Sequence, residues 1–203
     1  MREPAIKILQ ILQYACVGCG LLLVSVATFA RLDGEIGRQE AISSFLSHDF
    51  APDQSLWSGE RVRDFKASLA LDAGEPQAVL RISALDLEVP VYATASDLHL
   101  NRGAGYIEGM GQPDSGGNVG IAGHRDGFFR VLKDVSPGQT IELQTRKRTH
   151  RYRVVSIEVV ESSDVNPLVD TVDPTVTLVT CFPFYFVGHA PQRFIVRGTY
   201  VWG

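Results

Sequence analysis

The chain has 203 residues, 45% of them hydrophobic and 21% charged, with a formal net charge of −4. That length admits one ordinary domain plus an appendage and excludes two full domains. The composition is that of a folded protein rather than a disordered one, and the mixed, slightly acidic charge pattern excludes a basic surface built for nucleic acid.

From Ile11 to Ala30 twenty consecutive residues carry no charge, about the length a helix needs to cross a ~30 Å hydrocarbon core. Arg2 and Lys7 precede the run and favour an inside N-terminus, although Arg31 weakens the asymmetry. Ser25-Val26-Ala27 offers small residues for signal cleavage, but a signal peptide has a shorter apolar region of about 7–15 residues. Residues 1–30 therefore read as an uncleaved single-pass anchor, with everything after residue 31 on the outer side of a cell membrane. Cys16 and Cys19 form a Cys-x-x-Cys pair inside it. No histidine or strand–helix context surrounds them, so thiols of a lipid-facing helix are the reading preferred over redox or metal chemistry. The apolar stretch runs on past Cys19, which argues against a lipoprotein site.

Residues 31–76 show no strand alternation. Ile42, Phe45 and Leu46 make one apolar stripe at helical spacing, and Val62, Phe65 and Leu69 make another. The breaker-rich Ala51-Pro52-Asp53-Gln54-Ser55 lies between them, with Ser55 placed to cap the second helix. The stretch reads as a helical stalk. Whether its stripes pack on the following domain or pair with a second copy stays open.

From Gln77 the pattern changes to short strand-like runs between turns, and 77–203 reads as the main domain. The candidates are Val79–Ile82, Leu87–Tyr92, Asn118–Ala122, Thr140–Thr145, His150–Val160, Thr175–Cys181 and Phe194–Val201. Alternation is strict in Ile141-Glu142-Leu143-Gln144, as in a strand with one buried face. Pro137-Gly138 and Asp173-Pro174 mark turns. Seven or eight short strands and little helix predict a mostly β fold, a closed or nearly closed antiparallel β-barrel with short helices. Arg146-Lys147-Arg148, between two of these strands, reads as a solvated hairpin tip rather than a contact for a charged polymer or headgroup.

Three local patterns bear on chemistry. His124 follows an apolar strand in Gly120-Ile121-Ala122-Gly123-His124; Cys181 ends the β-branched run Thr177-Leu178-Val179-Thr180-Cys181; Arg193 opens the strand Arg193-Phe194-Ile195-Val196. Taken singly, each has an ordinary explanation: a structural histidine, a small buried thiol, a solvated cation. Together they supply a nucleophile, a proton-transfer group and a donor for an oxyanion. A free thiol of pKa about 8.5 is only a few per cent thiolate at neutral pH; a neighbouring guanidinium favours the thiolate, and a neighbouring imidazole can exchange a proton with the leaving amine. If the strands that hold Cys181 and Arg193 pair, both residues lie at one end of the sheet.

Thr180-Cys181 with Arg193 twelve residues on, preceded by Asn118-Val119-Gly120-Ile121-Ala122-Gly123-His124, resembles the signature of the sortase family. Thr180-Cys181-Phe182-Pro183-Phe184-Tyr185-Phe186-Val187-Gly188, continuing through Ala190-Pro191-Gln192-Arg193, looks most like class D sortases. The resemblance covers roughly residues 77–203 and implies a sortase-type barrel and a cysteine transpeptidase. It implies Cys181 as the nucleophile on a sorting motif near a substrate protein's C-terminus, His124 as general acid and then base, and Arg193 as support for the oxyanion. Ala122 and Thr180 match positions that line the peptide groove. No organic cofactor is implied; some members use calcium, but no acidic cluster here suggests a metal site. The implied partners are exported proteins with a sorting motif, an amine acceptor on peptidoglycan or another protein, and the membrane.

Tyr106 departs from the family pattern outside the triad, where many relatives carry histidine. His189, eight residues from Cys181, is a competing imidazole, while His48, His99 and His150 read as structural or surface residues. Alternatives to transpeptidation are a hydrolytic thiol peptidase on the same fold and a non-catalytic barrel that binds envelope peptides. A Cys/His metal site falls short of the usual three or four ligands.

Overall fold

A computed structural model describes Gly18, Gln54, Ser55, residues 57–185 and residues 190–202. The expected membrane anchor apart from Gly18, the Cys16/Cys19 pair, the Ile42 stripe, His48 and His189 lie outside the described residues. Among the described residues no helix is long and apolar enough to cross a membrane.

Eight strands close into a barrel: β1 (Ala78–Ile82), β2 (Leu87–Tyr92), β3 (Ala104–Tyr106), β4 (Asn118–Gly123), β5 (Thr140–Thr145), β6 (Thr149–Glu161), β7 (Thr175–Phe182) and β8 (Gln192–Tyr200). Around the ring their order is β1-β2-β3-β4-β7-β8-β6-β5, and β5 pairs back onto β1. The expected closed β-barrel is present, but it is not wholly antiparallel: β2 with β3 and β4 with β7 run parallel. Parallel neighbours need a crossover connection rather than a tight hairpin. For β2–β3 the short helix α2 (Asp97–Arg102) lies in that connection, and for β4–β7 the whole β5–β6 excursion intervenes. Burial on both faces accompanies the parallel pairing, as the near-continuous buried runs of β4 and β7 show.

Alternation builds the core. In β6 His150, Tyr152 and Val154 point inward between exposed neighbours, until a register shift between Val154 and Ser156 ends the pattern. Leu80, Val89, Ile121, Ile141, Leu143, Leu178 and Val196 complete a fully buried interior. The β5–β6 hairpin carries Arg146-Lys147-Arg148 at its tip, where Lys147 and Arg148 pair with Asp114 at 3.4 and 3.2 Å and Arg146 pairs with Glu75. A cleft lined by Glu75, Tyr106, Asp114 and Arg146 lies beside that tip.

Ahead of the barrel, Ser58 caps helix α1 (Gly59–Ser68) by accepting from the Arg61 N–H. The cap is thus Ser58 rather than the expected Ser55, because the hydroxyl must stand immediately before the first helical turn. Phe65 of α1 is buried and meets Trp57 and Phe128 edge-on, with ring centroids 5.5 and 6.4 Å away. Of the two fates open for the Val62–Phe65–Leu69 stripe, packing on the barrel is the one observed, and it runs through Phe65; Leu69 stays exposed.

Candidate active site

β7 and β8 are antiparallel neighbours, and Cys181 and Arg193 are direct partners in their register. The geometry anticipated for paired strands is present: the thiol and the guanidinium leave the same end of the sheet. Both residues are partly exposed. Arg193 Nη1 donates to the carbonyls of Ala190 and Gln192 at 3.2 and 3.0 Å, so its side chain is held over the entrance of β8. Beneath it Phe182, Phe184 and Phe194 form an aromatic cluster with centroids 5.1–6.2 Å apart, which seats the start of the β7–β8 loop.

His124 reaches this end by a different route. β4 lies parallel to β7 on its other side, with Ala122 opposite Val179. One step further, the Thr180 hydroxyl donates to the Gly123 carbonyl at 2.8 Å. His124 and Cys181 each directly follow one partner of that bond. A second link crosses the same gap, from Arg125 Nη1 to the Pro183 carbonyl at 3.3 Å. Gly123 is required by space: a Cβ there would come within 2.6 Å of the buried Phe129 ring.

Burial presses the His124 imidazole toward its neutral form, and the Arg61 guanidinium adds to this, so its pKa falls to about 4; Asp126, Asp97 and Asp64 oppose the shift. Neutral imidazole accepts a proton from a thiol and can return it to a leaving amine.

Among the anticipated groove residues, Ala122 is partly exposed next to His124. Thr180 is only 2% exposed and its hydroxyl is engaged by Gly123, so its side chain stabilises the wall and presents nothing to a groove. Tyr106 is buried in β3, and burial raises its phenol pKa. His99 is structural: it stacks on Tyr92 at 5.1 Å, its Nδ1 lies 2.9 Å from Thr94 Oγ1 and its Nε2 3.2 Å from the Ala73 carbonyl. His150 is fully buried, 3.3 Å from Asp114. Among the described residues no group of three or more His, Cys, Asp or Glu is placed to share a metal ion. Sequence reasoning missed Arg61, Asn101 and Asp126. Arg61 Nε donates to Asp126 Oδ1 at 3.2 Å, and Nη1 donates to Asn101 Oδ1. Their sequence separations of 40 and 65 residues leave no local signal.

The ends of β4 and β7 and the start of β8 thus bring His124, Cys181 and Arg193 to one rim of a closed β-barrel, and a thiol, an imidazole and a guanidinium are the groups that thiol-dependent acyl transfer needs. The sortase domain model matches residues 80–201, more than half of the chain, and the chain belongs to the sortase family, whose members are generally cysteine transpeptidases. It is 28% identical to sortase D of Bacillus subtilis (strain 168) over 134 residues, which cover 66% of this chain and 68% of the relative. The solved sortase D5 transpeptidase of Clostridium perfringens shares its fold, with a TM-score of 0.59 at 21% identity, covering 80% of this chain and 94% of the other. Sortase E1 of Streptomyces coelicolor, solved with a tripeptide in its active site, aligns with a TM-score of 0.56 at 28% identity over 62% of this chain and 88% of the other. The class D resemblance read from the Cys181 segment is borne out by the match to sortase D of Bacillus subtilis.

Proposed function

We propose that this sortase cleaves a sorting motif near the C-terminus of exported proteins and transfers the acyl group to an amine of the envelope or of another protein. The observation that carries the reading is the placement of Cys181 opposite Arg193, with His124 directly after the strand bonded to the far side of β7. Cys181 gives its proton to His124, and its sulfur adds to the scissile carbonyl carbon. Arg193 faces the oxyanion that forms. As the C–N bond breaks, His124 protonates the leaving amine, and a thioester remains on Cys181. An incoming amine attacks that thioester; His124 takes the amine's proton and returns it to the departing thiolate, which restores the enzyme. Residues 1–30 anchor the chain with its N-terminus inside and its catalytic domain outside, and residues 31–76 connect the two.

The test is intact-mass analysis of the full-length chain in detergent with pooled randomised peptides, alongside Cys181→Ala. Expected is a peptide-dependent adduct on Cys181 that is absent from the variant and passes to added hydroxylamine. Passage to water at the same rate with and without the amine would instead establish a thiol peptidase. Peptide retention without any adduct would establish a binding barrel.

A further inference from the structure

Arg61 sits in the first turn of α1, its N–H tied to the Ser58 cap at 3.1 Å. A cation in a first turn opposes the helix dipole, so α1 gains nothing from an arginine there. The side chain, 12% exposed, leaves the helix and donates to Asp126 at 3.2 Å and to Asn101 of α2. Asp126 lies two residues after His124, inside the turn closed by the Gly127 N–H on the His124 carbonyl at 3.2 Å. A Cβ placed on Gly127 would stand 3.6 Å from His124 Cβ and 3.8 Å from Arg61 Cδ; the arginine stem and the base of the histidine side chain flank the same backbone atom. One guanidinium therefore joins α1, α2 and the histidine turn, and the reaction as written above uses neither Arg61, Asn101 nor Asp126.

We propose that Arg61 is a positioning residue for His124: through Asp126 it clamps the turn 124–127, and through Asn101 it fixes that turn to α2. The proposal rests on the reading of His124 as the proton-transfer group. It makes α1 part of the active site although α1 precedes the barrel. Phe65, seated between Trp57 and Phe128, keeps the helix in register with the turn it serves. The charged groups facing His124 are Arg61 and Asp64 from α1, Asp97 from α2 and Asp126 from its own turn; the arginine disfavours the imidazolium and the three carboxylates favour it.

The experiment compares full-length wild type, Arg61→Gln, Arg61→Lys and Asp126→Asn in detergent. Three quantities are read: the His124 titration midpoint by NMR of ring-labelled histidine, turnover of pooled randomised peptides with hydroxylamine, and the thermal midpoint. Arg61→Gln is expected to move the His124 midpoint up and Asp126→Asn to move it down. Both should lower kcat about 10-fold or more while KM changes less than about twofold, as for a misplaced catalytic group. Arg61→Lys keeps the charge and the thermal midpoint but loses kcat, because one ammonium does not reproduce the planar fork on two partners; it carries the test should Arg61→Gln not fold. An unmoved midpoint in both Arg61→Gln and Asp126→Asn, or a kcat loss that only tracks thermal stability, overturns the proposal. If wild type turns over no peptide, the functional reading fails, while opposite shifts of the two midpoints still establish the clamp.

Discussion

The hydroxyl of Thr180 and the carbonyl of Gly123 meet at 2.8 Å inside the barrel wall, and each belongs to the residue just before a member of the proposed triad. This single bond joins the exits of β4 and β7 and so sets the distance from which the imidazole and the thiol begin. Replacing Thr180 with Val keeps the volume and removes the donor. The expected loss is about 1–2 kcal/mol of stability, from a buried hydrogen bond deleted on one side. A kcat loss of about 10-fold should accompany it, from displaced catalytic groups. Thr180→Ser restores both. Urea unfolding and peptide turnover of the three proteins decide it; a Val variant with full kcat would show that the tie is structural alone.

Asn118 holds the opposite end of β4. It is fully buried, its amide donates to the carbonyls of Pro167 and Val169 at 3.0 Å each, and its oxygen accepts from Thr177 at 2.7 Å. The β6–β7 connection is thereby pinned to the barrel. Asn118→Asp places an acceptor against two carbonyls and is expected to cost about 3 kcal/mol or more, the penalty of buried polar groups left unpaired. Limited proteolysis within residues 162–174 should rise in parallel. A variant that keeps the wild-type unfolding midpoint would refute this account of the loop.

Much of this architecture is legible from sequence because alternation and chain order carry it. β2 and β5 fall on their expected residues, and Cys181 and Arg193 are placed by the end of one strand and the start of the next. Strand direction is not legible in the same way: Val119–Ala122 and Val176–Val179 are equally apolar whichever way they pair. β3 escapes because three residues, Ala104-Gly105-Tyr106, are too few to show a period. The Arg61–Asp126–Asn101 clamp escapes for another reason. It joins residues far apart in the chain, each unremarkable where it stands, and only the folding of α1 onto the barrel brings them together.

The proposed function asks two things of Arg193, to hold the β8 entrance and to face the oxyanion. Among the described residues its Nη1 serves the carbonyls of Ala190 and Gln192, and the proposed reaction takes the rest of the fork for substrate. Arg193→Ala is expected to lower kcat about 10²–10³-fold, the range seen when one oxyanion donor is removed. Arg193→Lys should recover less than about a tenth of the loss, because a single ammonium cannot serve loop and oxyanion together. Steady-state kinetics of both variants, with the thermal midpoint as control, test the assignment; full activity in Arg193→Lys would reduce the role to charge alone.

Acidity should unfold this protein partly through His124. Its folded-state pKa is about 4, below the ordinary histidine value of 6.5, chiefly through burial and next through Arg61. The unfolded chain therefore takes up a proton at this residue below about pH 6.5, whereas the folded chain does so only near pH 4. The folded state is thus favoured fully above pH 6.5 and loses that advantage as pH falls toward 4, by at most about 3 kcal/mol at 1.36 kcal/mol per pKa unit. His150 is shifted the same way, by burial and then by Arg148, and contributes equally to wild type and to a His124→Gln variant. The difference between those two proteins isolates His124. Urea unfolding at pH 7.0 and pH 4.5 should show wild type losing more stability than His124→Gln on acidification. Equal losses would mean that His124 protonates freely in the folded protein, and that the Arg61-flanked turn does not hold its imidazole neutral.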